Sequence, residues 1–118
     1  MGNDLDVLVP AWLTYREVAE RLGLPVNKVG RLVRERELIA LPLGEHNAQL
    51  VPAAFIADGQ VLKGLQGTLT VLHDAGFDDE ASVRWLFTAD ESFEGTPIGA
   101  LAANRGKEVR RQAQALAF

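Results

Sequence analysis

Two short apolar-periodic segments meet at Gly23-Leu24-Pro25, and this break constrains the chain more than any other feature. Upstream, Leu13-Thr14-Tyr15-Arg16-Glu17-Val18 has the makings of a helix start. Thr14 is a hydroxyl cap, Glu17 three residues on completes a capping box, and Leu13 can staple against Val18. Val18, Ala19 and Leu22 form the apolar stripe of that helix, and Gly23 ends it. Pro25 presets φ for a second helix. There Val26, Val29, Leu32 and Val33 recur at helical spacing and leave Asn27, Lys28, Arg31, Arg34 and Glu35 on the other side. Neither stripe can stay in water, so the two helices pack together and the polar face of the second projects outward.

The next segment changes period. Leu38-Ile39-Ala40-Leu41-Pro42-Leu43 and Ala48-Gln49-Leu50-Val51-Pro52 flank a turn at Gly44-Glu45-His46-Asn47, the pattern of a β-hairpin. Pro42 cannot donate to a ladder, so its strand belongs at an edge or carries a bulge. A hairpin directly after two such helices is a wing, and the order helix, turn, helix, hairpin predicts a winged helix-turn-helix. Beyond it lie a short helical turn through Ala53-Ala54-Phe55-Ile56 and a loop at Asp58-Gly59. Helical segments follow. One carries Leu69, Val71, Leu72 and Ala75 and ends at Gly76; another, capped by Asp78 or Asp79, carries Val83, Trp85, Leu86 and Phe87. A short helix opens at Thr96-Pro97, and a last one, from about Arg105, has Val109, Ala113 and Leu116 inward. The fold class is thus mainly α: a flexible tail over 1–10, a winged helix-turn-helix with a small hairpin wing over 11–57, and a helical C-terminal domain over 58–118 packed on it.

Composition removes whole classes of function. The 118 residues contain no cysteine, which excludes a disulfide framework, a thiolate zinc site and a cysteine nucleophile. No apolar run approaches the roughly 18 to 20 residues of a membrane span, and the acidic start lacks a signal peptide's basic region. The expected compartment is the cytoplasm. His73-Asp74 points its two side chains about 100° apart on a helix and makes no acid–base or metal site by itself. Asp90, Glu91 and Glu94 lack the spacing of a calcium loop, and no phosphate-binding glycine loop or nucleophile elbow occurs. The expectation is a non-enzymatic chain with no catalytic residue, metal or cofactor.

Charge is segregated. Net charge is −4, which by itself counts against a nucleic-acid partner. Yet Val26 to Arg36 holds Lys28, Arg31, Arg34 and Arg36 against Glu35 alone, and Arg105, Lys107, Arg110 and Arg111 form a second basic cluster. Asp74 to Glu94 holds seven acids opposed only by Arg84. The second helix of a helix-turn-helix meets the major groove near its N-terminal end, where Asn can pair with adenine and Arg with guanine. The candidate DNA-binding residues are therefore Asn27, Lys28, Gly30, Arg31 and Arg34, with Asn47 and Gln49 from the wing. Gly30 costs roughly 1 kcal/mol in a helix interior, so close approach of DNA or of a neighbouring helix should use its missing side chain. The wing offers no cation, and Glu45 opposes phosphate, so modest affinity is expected. The C-terminal basic cluster is a solvated face, a second phosphate contact, or a dock for the acidic segment of another copy.

Four stretches carry a resemblance: Leu22-Gly23-Leu24-Pro25-Val26-Asn27-Lys28-Val29, Leu72-His73-Asp74-Ala75-Gly76-Phe77, Arg84-Trp85-Leu86-Phe87-Thr88 and Val109-Arg110-Arg111-Gln112-Ala113-Gln114-Ala115. In this order they resemble the small actinobacterial winged helix-turn-helix proteins typified by a mycobacterial DNA-binding substrate of Ser/Thr protein kinase L. The resemblance implies a winged helix-turn-helix, a helical C-terminal domain of unassigned role, and double-stranded DNA as partner, with transcription regulation as the associated role. The family's kinase control acts on a threonine in the N-terminal tail; residues 1–10 here contain no Thr or Ser, so that control does not carry over. An alternative reading is a protein-interaction adaptor. Trp85-Leu86-Phe87 followed by Gly95-Thr96-Pro97-Ile98 is similar to the toxin-binding domain of some antitoxins, which would place a protein partner on the C-terminal helices. Homodimerisation, which reading a palindrome requires, stays open.

Overall fold

Thr14 sets the start of the first long helix as its chemistry requires. Its hydroxyl accepts from the Glu17 amide at 3.1 Å, and its own amide donates to Glu17 Oε1 at 2.8 Å. This capping box satisfies two backbone donors that a helix start otherwise leaves orphaned. The computed structural model describes residues 5–43 and 46–116. The chain divides after Leu62 into two compact units.

The first unit runs α1 (Leu5–Leu8), β1 (Trp12–Leu13), α2 (Tyr15–Leu22), α3 (Val26–Arg34), β2 (Leu41–Leu43), β3 (Ala48–Pro52), a 3₁₀ turn over Ala53–Phe55, then β4 (Ile56–Ala57) and β5 (Gln60–Val61). Gly23, at φ 69°, takes the left-handed conformation that ends α2, and Pro25 stands at the N-cap position of α3 with no side-chain capping bond. α2 packs on α3 through Val18, Ala19 and Val29, all buried. β1, β3 and β2 form one antiparallel sheet in that order, with Leu13 opposite Val51 and Pro42 opposite Gln49. Pro42 lies in an edge strand, where its missing N–H costs least.

Four features differ from the sequence expectation. The tail predicted over 1–10 is helical over Leu5–Leu8, with Leu5 and Val9 buried: apolar side chains four residues apart on one turn find the core. The wing hairpin has a third strand in Trp12–Leu13, too short to show a period. Val26 is 47% exposed, not part of the buried stripe. Asp58-Gly59, expected as a loop, is the tip of the β4–β5 hairpin, both residues at positive φ (53° and 77°), and the first compact unit runs through Leu62. Glu45, expected to oppose phosphate, lies outside the described residues, as does Gly44.

The second unit comprises α4 (Leu65–Asp74), α5 (Asp79–Phe87), a 3₁₀ turn over Glu91–Phe93, α6 (Pro97–Ala102) and α7 (Gly106–Ala115). Side-chain caps organise it. Asp78 accepts from the Ala81 amide, Asp90 from Ser92 and Thr96 from Gly99. α4 packs on α7 around Leu65, Leu69, Leu72, Leu101, Val109 and Ala113, all buried. Gly64 opens α4 at φ 87°; a Cβ there would stand 3.1 Å from Leu101 Cδ2 and 3.6 Å from the Gly106 Cα, so glycine permits both the conformation and the approach. Trp85 meets Phe93 edge-on at 6.4 Å, and Arg105 reaches the Phe93 carbonyl, holding the 91–93 turn to α7. Leu116, expected inward, is 38% exposed because α7 has ended at Ala115. No helix among the described residues is long and apolar enough to cross a membrane.

Candidate nucleic-acid interface

The buried side of α3 is fixed by Val29, so helical geometry decides what faces away. At 100° per residue, Asn27, Gly30, Arg31 and Arg34 fall at i, i+3, i+4 and i+7 and share the outer face. Asn27, Arg31 and Arg34 are exposed, and Gly30 is half-buried at the border. Lys28 is also exposed, on the flank of that face. The helix therefore presents a carboxamide and two guanidinium groups together, with an ammonium beside them. The turn before α3 adds apolar surface, since Leu24 and Val26 are 39% and 47% exposed on either side of Pro25.

These cations are not equivalent. Arg31 Nε donates to Glu35 Oε2 at 3.2 Å, an ion pair one turn along the exposed face. Arg34 folds back toward Gly30, and a Cβ built on Gly30 would meet its Nη1 at 3.4 Å and the Tyr15 ring at 4.0 Å. Both are ordinary van der Waals contacts. The absent side chain of Gly30 is thus not required by packing within the unit, contrary to the option that a neighbouring helix fills the space.

Arg36 is a further exposed cation at the end of α3 that the sequence-based candidates did not include. The Arg36 amide donates to the Val33 carbonyl at 3.2 Å and the Glu37 amide to the Leu32 carbonyl at 2.9 Å. This is the paired closure of a helix whose first residue past the cap is left-handed, a place usually taken by glycine. Arg36 occupies it at φ 62°, with its side chain exposed beyond the end of α3. Its positive φ has no signature in the sequence; only the run of cations marked it.

The wing contributes less. Asn47 and Gln49 are exposed at the β2–β3 hairpin, and Asn47 takes φ 51°, a conformation its short amide side chain tolerates. Among the described residues no hydrogen bond joins either to α3. His46 is exposed beside Asn47, and His73 and Asp74 are exposed on α4. Among the described residues no three acidic or imidazole groups converge as metal ligands would.

The first unit is a winged helix-turn-helix: two helices joined at Gly23-Leu24-Pro25, an outward second helix, and a hairpin wing completed by a third strand. A separate helical unit follows it. Residues 2–56 match the family described as the DNA-binding protein Rv2175c wHTH domain, and residues 62–117 match the Rv2175c C-terminal domain of unknown function. The chain is 41% identical to the DNA-binding protein Rv2175c of Mycobacterium tuberculosis over 96% of its own length and 86% of that protein's. It superposes on the NMR structure of Rv2175c with a TM-score of 0.82 at 38% identity, covering 92% of this chain and 82% of that one. The chain belongs to the Rv2175c family.

Proposed function

We propose that the chain is a non-enzymatic double-stranded DNA-binding protein that regulates transcription, with α3 entering the major groove. One observation carries this reading: Asn27, Arg31 and Arg34 project from a single outward face of α3, bordered by Gly30, which no packing within the unit requires. A major groove admits one helix, and these side-chain types match its code, Asn to adenine and Arg to guanine, at about 1–3 kcal/mol of discrimination for each good bidentate pair. Leu24 and Val26 supply apolar contact of the kind a thymine methyl accepts. Lys28, Arg34 and Arg36 suit phosphate, which sets affinity and register but not sequence. Asn47 and Gln49 of the wing reach the flanking backbone or minor groove. The name of the mycobacterial relative supports the same activity, and the cytoplasm, where a bacterial chromosome lies, is the compartment this reading requires.

Fluorescence anisotropy with labelled duplex over a salt series tests it, comparing wild type with the double substitution Lys28→Ala, Arg31→Ala. The reading predicts that log K falls with log[salt] by about 0.9 per phosphate contact, and that the folded double variant loses affinity and slope together. A wild type that binds no duplex at low salt would refute it and direct attention to a protein partner on the C-terminal helices.

A further inference from the structure

The second unit carries a feature that α3 does not explain. A groove of about 700 Å³ runs between α4 and α7, with Lys107, Arg110, Arg111 and Gln114 on one wall and Gln66 and Thr70 on the other. No acidic residue lines it. Its floor is made by Gly67: a Cβ there would stand 3.3 Å from Arg110 Cδ and 3.7 Å from its Nη1, so Arg110 lies across α4 in the space of a missing side chain. A glycine inside a ten-residue helix costs roughly 1 kcal/mol relative to alanine. A second hollow, of about 560 Å³, adjoins the first through Lys107 and Arg110 and adds Lys63 together with the Arg105–Glu108 pair.

The blander reading is a solvated basic helix face. Charge pairing argues against it. Glu108, the one acid on α7, pairs with Arg105 at 2.6 Å, with Arg111 only a more distant charge in its field. Among the described residues no carboxylate lies within ion-pair distance of Lys107, Arg110 or Arg111, although the same unit holds seven acids between Asp74 and Glu94. Three cations crowded around a donor-lined groove repel one another and gain from a bound polyanion.

We infer that the α4–α7 groove binds the phosphodiester backbone of duplex DNA, giving the C-terminal domain a role as a second, sequence-independent contact. The inference rests on the DNA-binding reading above. Two observations favour this occupant over the acidic segment of a second copy. Lys107, Arg110, Arg111 and Gln114 advance along one helix face over roughly 10 Å, a linear array suited to a line of phosphates. Three of the seven acids of the other candidate are already engaged: Asp78 and Asp90 cap backbone amides, and Glu80 pairs with Arg84 at 3.5 Å. A backbone contact here also offsets the small number of cations around α3.

The test uses the full chain and two unrelated duplexes. The triple substitution Lys107→Gln, Arg110→Gln, Arg111→Gln should reduce the magnitude of the salt slope by about 2 to 3. It should weaken both duplexes by the same factor, about tenfold or more at low salt, because phosphate contacts carry no sequence information. Gln66→Glu with Gln114→Glu keeps every cation and the groove's shape while adding carboxylates; it should weaken binding in the same direction, with circular dichroism and Tm showing both variants folded. Wild-type slope and affinity in both folded variants would overturn the inference. So would variants that change the sedimentation behaviour of the free protein and leave duplex binding alone, which would assign the groove to a second copy. If wild type itself binds no duplex, the DNA-binding reading has failed first and this inference with it.

Discussion

Arg31 and Glu35 form an ion pair across one turn of α3, Nε to Oε2 at 3.2 Å, on the face assigned to DNA. Under the proposed reading, the free protein holds the side chain proposed to read guanine against a carboxylate that would have to be displaced or tolerated when phosphate approaches. An exposed i,i+4 pair contributes only about 0.3–0.5 kcal/mol, so removing it costs little stability. Glu35→Gln should therefore leave Tm nearly unchanged and raise duplex affinity about two- to tenfold at low salt, read by anisotropy. Weaker binding would show that Glu35 orients Arg31 for the complex.

Arg36 occupies a left-handed position, φ 62°, at which glycine is the unstrained choice. Arg36→Gly should stabilise the chain by about 1 kcal/mol, measured by urea denaturation, while lowering the salt slope by about 0.9. A gain in stability with an unchanged slope would remove Arg36 from the phosphate contacts.

Gly30 has room for a methyl group in the free protein, since only the Arg34 guanidinium and the Tyr15 ring come near. Gly30→Ala should raise stability by about 0.5–1 kcal/mol and, on the proposed docking of α3, weaken duplex binding several-fold, because the methyl would stand where the groove wall approaches. Unaltered affinity would place the DNA on another part of α3.

The Thr14–Glu17 box links sequence to pH dependence. The Thr14 amide, then its hydroxyl, hold the Glu17 carboxyl below the ordinary glutamate value, with Arg21 adding to the effect. Because the folded value is the lower one, this contribution to stability is present above the ordinary carboxylate value and is lost as pH falls through it toward the folded value. Glu108, held down by Arg105, acts with the same sign. Glu17→Gln should flatten the acid limb of a Tm-against-pH curve, and Thr14→Ala should cost about 1 kcal/mol at neutral pH. An acid limb as steep in Glu17→Gln as in wild type would contradict the assignment.

How far the fold could be read in advance depended on range. Thr14, Glu17, Gly23 and Pro25 act on neighbours within one turn, so the helix-turn-helix was legible residue by residue. The pairing of Trp12–Leu13 with Val51–Pro52 was not: a two-residue strand has no period, and its partner lies across the whole unit. Asp58-Gly59 carried a hairpin signature, but flanking strands of two residues each gave it no support. Periodicity placed Val26 in the core, yet as the first residue of α3 it is left 47% exposed. For the candidate site, residue type and helical phase picked out Asn27, Arg31 and Arg34. The Arg31–Glu35 pairing was compatible with the spacing but not dictated by it, and the backbone of Arg36 and the seating of Arg110 over Gly67 depend on three-dimensional placement that spacing does not encode.

The central claim, that the outward face of α3 meets DNA, is tested most directly by amide chemical-shift mapping of the labelled full chain titrated with a short duplex at low salt. The account predicts the largest shifts and broadening at Asn27, Lys28, Gly30 and Arg31, with smaller changes at Asn47 and Gln49 and at the α4–α7 groove. Saturable duplex binding that leaves the α3 amides unmoved would contradict it.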